Sequence, residues 1–226
     1  VIALSGDVGF YSGAKGLLKA LDGNAEIICG ISSVVYFMSK IGLSWDDAKI
    51  VSAHGRVCNL VSLIRTNQKV FAILGTSDAQ KLTDYGMGEV QLYVGENLSY
   101  EDEKIFVKQA MELTDYRGDA LSVICAWNPD AKTALTTHGL PDDAFTRGKA
   151  PMTKTEVRTV SLAKLCLKED SVCYDIGAGT GSVSVEMGLR ASQGSVYSIE
   201  KKEDALVLLE ENKKKFALDH MRIIAG

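Results

Sequence analysis

The sequence predicts an α/β fold, because short apolar runs alternate with helix-like segments over most of its 226 residues. This alternation stops between residues 128 and 154, where all three prolines of the chain lie. A glycine-rich stretch, 175-DIGAGTGSVSVE-186, follows a predicted strand and opens a predicted helix. Together these observations predict two α/β regions, with a domain boundary near residues 130–140.

The N-terminal region carries the first set of predicted elements. Strands are expected at residues 1–4, 25–28, 50–52, 70–74, 89–94 and 120–126. Helices are expected at residues 13–21, 33–41, 59–66 and 79–85. The region therefore has the strand and helix content of an α/β domain.

The C-terminal region has a clearer pattern. Thr153 and Glu156 form the sequence of a capping box, which predicts a helix from there to about residue 167. Strands at 172–176, 195–199 and 221–224 then alternate with helices at 182–191 and 203–216. This order is half of a doubly wound sheet. Since strands are predicted at both ends of the chain, we expect a fragment whose two domains are both incomplete.

Composition excludes several classes of protein. No apolar run approaches the roughly 18–20 residues that span a bilayer, so we expect no membrane segment. The net charge of −4 argues against nucleic-acid binding. The five cysteines are scattered without a CxxC pair, which indicates reduced thiols in a cytoplasmic protein and no metal site.

The glycine-rich stretch indicates a cofactor. Its glycines have the spacing GxGxG, whereas the dinucleotide fingerprint would put its third glycine at Ser182. Asp175 ends the preceding strand and suits a cationic group such as the ammonium of a methionine moiety. Glu200 ends the next strand, where a carboxylate can accept from both hydroxyls of a ribose. This combination predicts S-adenosylmethionine, held by Asp175, Gly177, Ala178, Gly179, Thr180, Gly181 and Glu200; a nicotinamide or flavin, or a turn without a ligand, is the alternative.

The residues around this loop carry a family resemblance. The run 140-LPDDAFTRGKAPMTKTEVRTVSLAKL-165, followed by DIGAGTGSVSVE, resembles the C15-methylating, decarboxylating precorrin methyltransferases of cobalamin biosynthesis. The resemblance implies that Thr153 lies near the cofactor, that the loop 177–181 holds it and that Glu200 binds its ribose.

The N-terminal segments carry a second resemblance. The runs 5-SGDVGFYS-12, 29-CGISS-33, 52-SAHGR-56 and 95-GENLSYEDE-103 together resemble the C5-methylating precorrin enzymes of the tetrapyrrole methylase family. Val8 and Cys29 replace two prolines of the family pattern. The resemblance implies cofactor binding at Gly6, Asp7, Ser32 and Ser33.

The order of the two resemblances is that of fused C5,15-methylating precorrin enzymes. It implies a tetrapyrrole-methylase-like domain at residues 1–130, a linker at 131–152 and a Rossmann-like (class I) methyltransferase domain at 153–226. The implied function is methylation of a precorrin, or its cobalt form, at C5 and C15, with decarboxylation of an acetate arm. We expect the protein to be a cytoplasmic homo-oligomer. No residue stands out as a catalytic acid or base.

A polycarboxylate substrate requires cations. The candidates for binding the substrate carboxylates are basic residues that cluster before the glycine loop, namely Arg147, Lys149, Lys154 and Arg158. Arg56 is a further candidate in the first half. Two alternatives stay open. One keeps the cofactor but takes a different small molecule, a protein or an RNA as substrate, and the other is a truncated module without catalytic activity.

Overall fold

The computed structural model describes residues 2–4, 6–22, 24–52, 58–74, 79–118, 121–132 and 138–226. Within these ranges the chain forms a five-stranded sheet and a three-stranded sheet. The α/β class predicted from the sequence is confirmed.

The five-stranded sheet lies in the N-terminal half, with strand order β1-β2-β5-β3-β4. Its strands are β1 Lys49–Ser52, β2 Lys69–Leu74, β3 Gln91–Glu96, β4 Lys104–Gln109 and β5 Ser122–Trp127. The accompanying helices are α1 Ala14–Ala20, α2 Ser33–Lys40, α3 Leu60–Thr66 and α4 Ala79–Asp84. Only the β1–β2 pair is parallel; β2–β5, β5–β3 and β3–β4 are antiparallel.

The central strand of this sheet explains where the core lies. In β5 every residue from Ser122 to Ala126 is buried, as expected for a strand covered on both faces. On one face α3 packs against it through Leu60 and Ile64. On the other face, Phe37 of α2 packs against Phe71 of β2. The sheet thus has an apolar cluster on each side.

Several predicted elements are wrong or displaced. Residues 2–4 and 25–28 are not strands, and Val1 lies outside the described residues. Ile28 is 86% exposed, and no described strand pairs with residues 25–28. The strand expected at 89–94 begins at Gln91, and β4 was not predicted. Because β4 is a half-exposed edge strand, its sequence KIFVKQ gives no sustained alternation.

The three-stranded sheet forms the C-terminal half, and its order and type match the prediction. It consists of β6 Val172–Ile176, β7 Ser195–Glu200 and β8 Met221–Ala225, all parallel. The helices are α5 Thr155–Leu165, α6 Ser182–Arg190 and α7 Glu203–Lys215. Cys173, Val196 and Met221 stand in register and are buried in one apolar cluster.

The predicted capping box at the start of α5 is wrong. The helix begins at Thr155, its N-cap is Lys154, and no side chain caps it. Thr155 Oγ1 instead donates to Asp142 Oδ1 at 2.9 Å and to the carbonyl of Leu140. The first residue of the helix is thus bonded to the preceding segment, and the helix has no side-chain cap.

The segment before α5 also differs from a free linker. Residues 138–154, here called the arm, contain a short 3-10 helix at Asp142–Ala144 and lie along the C-terminal half. Phe145 is 4% exposed, and its ring centroid lies 5.4 Å from that of Phe216. The arm is thus partly built into the second core.

The two halves are in contact. Arg65 Nη1 donates to the carbonyl of Lys215 at 2.7 Å, and Asn59 Nδ2 donates to the carbonyl of Ser192. Ala217 belongs to the apolar cluster of the N-terminal half. Among the helices described, none has both the length and the apolar character needed to cross a membrane.

Candidate cofactor-binding site

A cleft of about 510 Å³ lies at the carboxyl ends of β6 and β7, where open α/β sheets generally bind ligands. The arm forms one wall through residues 150–153. The loop after β6 forms the other wall, and Glu200 also lines the cleft. The cleft is lined by Ala150, Pro151, Met152, Thr153, Gly177, Ala178, Gly179, Thr180, Ser182, Glu200, Lys202 and Ala205.

The glycines shape the loop for two separate reasons. Gly177, Gly179 and Gly181 all have left-handed backbone angles, with φ of 81°, 57° and 80°. A Cβ on Gly181 would collide with Leu209 of α7, and one on Gly179 would approach the carbonyl oxygen of Pro151 to 3.1 Å. A Cβ on Gly177 would meet no atom within 4 Å. The last two glycines therefore allow close packing, while Gly177 borders open space in the cleft.

Glu200 accepts three backbone hydrogen bonds at the end of β7. Its Oε1 accepts from the amides of Lys201 at 2.8 Å and Lys202 at 3.0 Å, and its Oε2 accepts from the amide of Gly179 at 2.8 Å. Donation from Lys202, then from Gly179, lowers the pKa of Glu200 below its ordinary value. A carboxylate has about four acceptor positions, so one position on Oε2 is left for a ligand hydroxyl.

Asp175 does not line the cleft. Its Oδ2 accepts a hydrogen bond from Ser184 Oγ at 2.5 Å, and Ser184 in turn accepts from Ser198 Oγ at 2.8 Å. The carboxylate thus connects the end of β6 to helix α6. Asp175 therefore has a structural role. The contact between its carboxylate and a ligand ammonium, expected from the sequence, stays a prediction.

Some residues at the cleft were not predicted as site residues. Pro151 and Met152 precede Thr153 directly, and Lys202 and Ala205 follow Glu200 at the start of α7. Their positions next to predicted residues are the only sequence signal for them. Thr180 was predicted as a cofactor-binding residue; its Oγ1 is buried, and it has no hydrogen-bond partner among the residues that the structure describes.

The match to a known protein family concerns the same part of the chain. Residues 143–226 match the precorrin methyltransferase domain family. The resemblance stated from the sequence is confirmed for this region, which contains α5 to β8, the glycine loop and Glu200.

Curated relatives of the chain are named cobalt-precorrin-6B C(15)-methyltransferase (decarboxylating), in some cases as probable. A probable cobalt-precorrin-6B C(15)-methyltransferase (decarboxylating) from Pyrobaculum calidifontis is 46% identical over 93 residues, which are 40% of this chain and 48% of that protein. The corresponding enzyme of Salmonella typhimurium is 44% identical over 88 residues, 38% of this chain and 46% of that protein. The chain spans about half the length of the curated relatives it matches.

A solved structure carries a related name. The precorrin-6Y C5,15-methyltransferase of Geobacter metallireducens is 37% identical, with 39% of this chain and 47% of that chain covered and a TM-score of 0.38.

The structure brings together the predicted N-terminal residues only in part. A Cβ on Gly30 would collide with the carbonyl oxygen of Gly6, so the segments around Gly6 and Ser32 touch. Asp7 Oδ1 accepts from the amide of Gly9, and Ser32 Oγ accepts from the amide of Val35 as the N-cap of α2, whose first residue is Ser33. Gly6, Asp7, Ser32 and Ser33 do not line the cavity of about 380 Å³ near Ser12 and Ser52.

The predicted basic residues fall into different environments. Arg158 is fully buried, with hydrogen bonds to Glu186 and to backbone carbonyls, so it is not available to a substrate and that prediction is wrong. Lys154 is exposed and lies 3.4 Å from Asp142 Oδ2. Arg147 and Lys149 are exposed on the arm. Arg56 lies outside the described residues.

Proposed function

We propose that this protein is an S-adenosylmethionine-dependent methyltransferase of cobalamin biosynthesis. In this proposal it methylates a precorrin, or the cobalt form, at C5 and C15 and decarboxylates an acetate side chain. The support is the match of residues 143–226 to the precorrin methyltransferase domain, together with relatives named for C15 methylation with decarboxylation. The observation that carries the proposal is the cleft between the glycine loop, Glu200 and Thr153.

The cleft fits the cofactor in size and chemistry. Its volume of about 510 Å³ lies within the range of small-molecule sites. The remaining acceptor position on Glu200 suits a ribose hydroxyl, and the open space beside Gly177 allows a ligand to approach the backbone. We therefore assign the cofactor to Thr153, the loop 177–181 and Glu200, with Asp175 supporting the loop.

The chain contributes position rather than a nucleophile. S-adenosylmethionine, when bound, supplies an electrophilic methyl group that an electron-rich ring carbon can attack directly. The protein then has to hold two molecules in line, which can contribute about 7–11 kcal/mol to lowering a barrier. Glu200 and the loop hold one of them at the ends of β6 and β7. The arm, which carries Arg147, Lys149 and Lys154, lies beside the same cleft and suits the carboxylates of the other.

The proposal extends to the whole chain. Residues 1–130 would form the C5-methylating domain, 131–152 the connecting segment and 153–226 the C15-methylating domain. Gly6, Asp7, Ser32 and Ser33 would belong to a second cofactor site in the first of these, with Arg56 as its basic residue. We also propose a homo-oligomer in the cytoplasm, a compartment that suits five scattered cysteines without a CxxC pair.

Isothermal titration with S-adenosylhomocysteine tests the proposal. The whole chain should bind this product, and Glu200→Ala should weaken binding at least tenfold, because it removes a charged acceptor. The matched control is Glu203→Ala, which removes the same charge from an exposed position in the first turn of α7. It should bind like the wild type. No binding by a folded wild-type chain, or equal losses in the two variants, would contradict the assignment.

A further inference from the structure

We propose that the arm is a fixed wall of the cofactor cleft and that Arg158 and Asn212 are the positioning residues that hold it there. The proposal rests on the proposed function, since it concerns the same cleft. It adds two buried polar side chains that lie outside the glycine loop. Each joins the arm to a different helix of the C-terminal half.

Arg158 fastens both ends of the arm to α5 and α6. Its Nε donates to Glu186 Oε1 at 2.6 Å, its Nη1 to the carbonyl of Thr153 at 2.5 Å, and its Nη2 to the carbonyl of Leu140 at 2.5 Å. The side chain is completely buried, and its guanidinium carbon lies 4.7 Å from the ring centroid of Phe145. Since Thr153 lines the cleft, the guanidinium fixes one of the residues predicted to contact the cofactor.

Glu186 completes the attachment from the side of α6. This carboxylate is 2% exposed, and its Oε2 accepts from the amide of Gly139 at 2.8 Å. The imidazole Nδ1 of His138 lies 3.9 Å from the same oxygen. The start of the arm is therefore held by the partner of Arg158, and both charges are compensated inside the protein.

Asn212 fastens the middle of the arm to the glycine loop. Its Oδ1 accepts from the amide of Thr146 at 2.7 Å, and its Nδ2 donates to the carbonyls of Thr146 at 3.0 Å and Thr180 at 2.9 Å. The side chain is fully buried on α7. One amide thus ties the arm on one wall of the cleft to Thr180 on the opposite wall.

The arm depends on these side chains because its backbone makes few bonds of its own. Among the described residues of the arm, one backbone bond closes within it, from the amide of Ala144 to the carbonyl of Pro141. Buried backbone groups require partners, and here Arg158, Glu186 and Asn212 supply them. The width of the cleft therefore depends on residues that do not line it.

Arg158 and Asn212, with their bonds to the arm, are here called the clamp. Hydrogen exchange of the unliganded chain tests directly whether the clamp holds the arm in place. The variants are Arg158→Lys, which keeps a positive charge opposite Glu186 but loses the fork to two carbonyls, and Asn212→Ala. We expect the amides of residues 138–154 to exchange at least tenfold faster in both variants. Exchange in β7 should stay protected, which shows that the domain is still folded. If Asn212→Ala does not fold, Arg158→Lys decides the question alone.

Titration with S-adenosylhomocysteine separates positioning from loss of stability. The clamp variants should bind at least tenfold more weakly than the wild type. The control for destabilisation is Val196→Ala, a fully buried residue of β7 that neither lines the cleft nor bonds to the arm. It should lower the unfolding midpoint while leaving the affinity and the exchange of the arm unchanged.

The outcomes distinguish this proposal from the proposed function. Unchanged arm exchange in a folded Arg158→Lys chain would overturn the clamp, even if the wild type binds the ligand. Wild-type affinity in that variant would also overturn it. Absence of binding in the wild type would contradict the proposed function instead, and the exchange measurement would then still decide whether Arg158 and Asn212 hold the arm.

Discussion

The carboxylate of Glu200 has enough acceptor positions to bind backbone amides and a ligand hydroxyl at the same time. Three backbone amides use three of about four positions, so the loop is held in shape before any ligand arrives. A glutamine at this position would have one acceptor oxygen instead of two. Its NH₂ group would face backbone amides that also donate, either those of Lys201 and Lys202 or that of Gly179. Glu200 therefore contributes to stability as well as to the proposed site.

The pH dependence of stability should reveal this contribution. Amide donation lowers the folded-state pKa of Glu200, so its stabilisation is complete above the ordinary glutamate pKa of about 4.3. It is lost as the pH falls through the lower, folded-state value. We expect Glu200→Gln to reduce the free energy of unfolding by about 1–2 kcal/mol at about pH 7, with a smaller difference as the pH approaches 4 and below. Urea unfolding across this range measures it, and a difference that does not change with pH would contradict the assignment.

Single residues were predicted unevenly from the sequence. The glycines and Glu200 were found because their positions at strand ends follow from a local pattern. Arg158 was misassigned because it stands among exposed cations, and the sequence does not indicate that its neighbour in space is Glu186, 28 positions away. Asn212 was not predicted as a site residue, because its bonds to Thr146 and Thr180 depend on how the arm crosses α7.

At the scale of elements, the three-stranded sheet is covered unequally on its two faces. The helices pack against the face that contains Cys173, Val196 and Met221. On the opposite face Ile176 is 82% exposed and Ile224 is 45% exposed. There Tyr174 stacks on Tyr197 with ring centroids 5.1 Å apart. One strand, β8, thus offers an inner and an outer apolar residue for comparison.

Substitutions on β8 should separate the two faces. Met221→Ala should cost about 2–5 kcal/mol of unfolding free energy, because it opens a cavity in the second core. Ile224→Ala should cost less than about 1 kcal/mol, since the side chain is already in contact with solvent. Denaturant unfolding of both variants under one set of conditions makes the comparison. Equal losses would mean that the outer face is covered, and analytical ultracentrifugation would then show whether a second copy covers it.

Elements with local signals were predictable, and those that depend on distant partners were not. The order β6-α6-β7-α7-β8 follows from periodicity alone, as do the four N-terminal helices within a few residues. The runs at 2–4 and 25–28 have strand-like composition, but no described strand pairs with them. In β4 the opposite is true: its sequence has only a weak strand pattern, yet it pairs with β3 along its whole length. Strand formation at these positions is decided by the presence of a neighbour.

At the scale of the whole molecule, the two halves share contacts that a loose tether would not make. Arg65 reaches the carbonyl of Lys215 from α3, and Ala217, completely buried with a left-handed φ of 55°, packs into the N-terminal core. Burial, followed by the negative charge of Asp219 from the C-terminal half, raises the pKa of Tyr85, which directly follows α4. These contacts predict that unfolding of one half affects the other.

The two tryptophans of the chain, Trp45 and Trp127, allow this coupling to be measured because both lie in the N-terminal half. Leu209→Ala destabilises the C-terminal core by about 2–5 kcal/mol and touches neither tryptophan. If the halves are coupled, this substitution lowers the unfolding midpoint reported by tryptophan fluorescence as well as the one reported by far-ultraviolet circular dichroism. In an Arg65→Ala background, which removes the bond to Lys215, the effect on fluorescence should be smaller. If Leu209→Ala leaves the fluorescence midpoint unchanged, the two halves unfold independently. Tryptophan fluorescence then reports the unfolding of the N-terminal half alone, whose stability the substitution does not change.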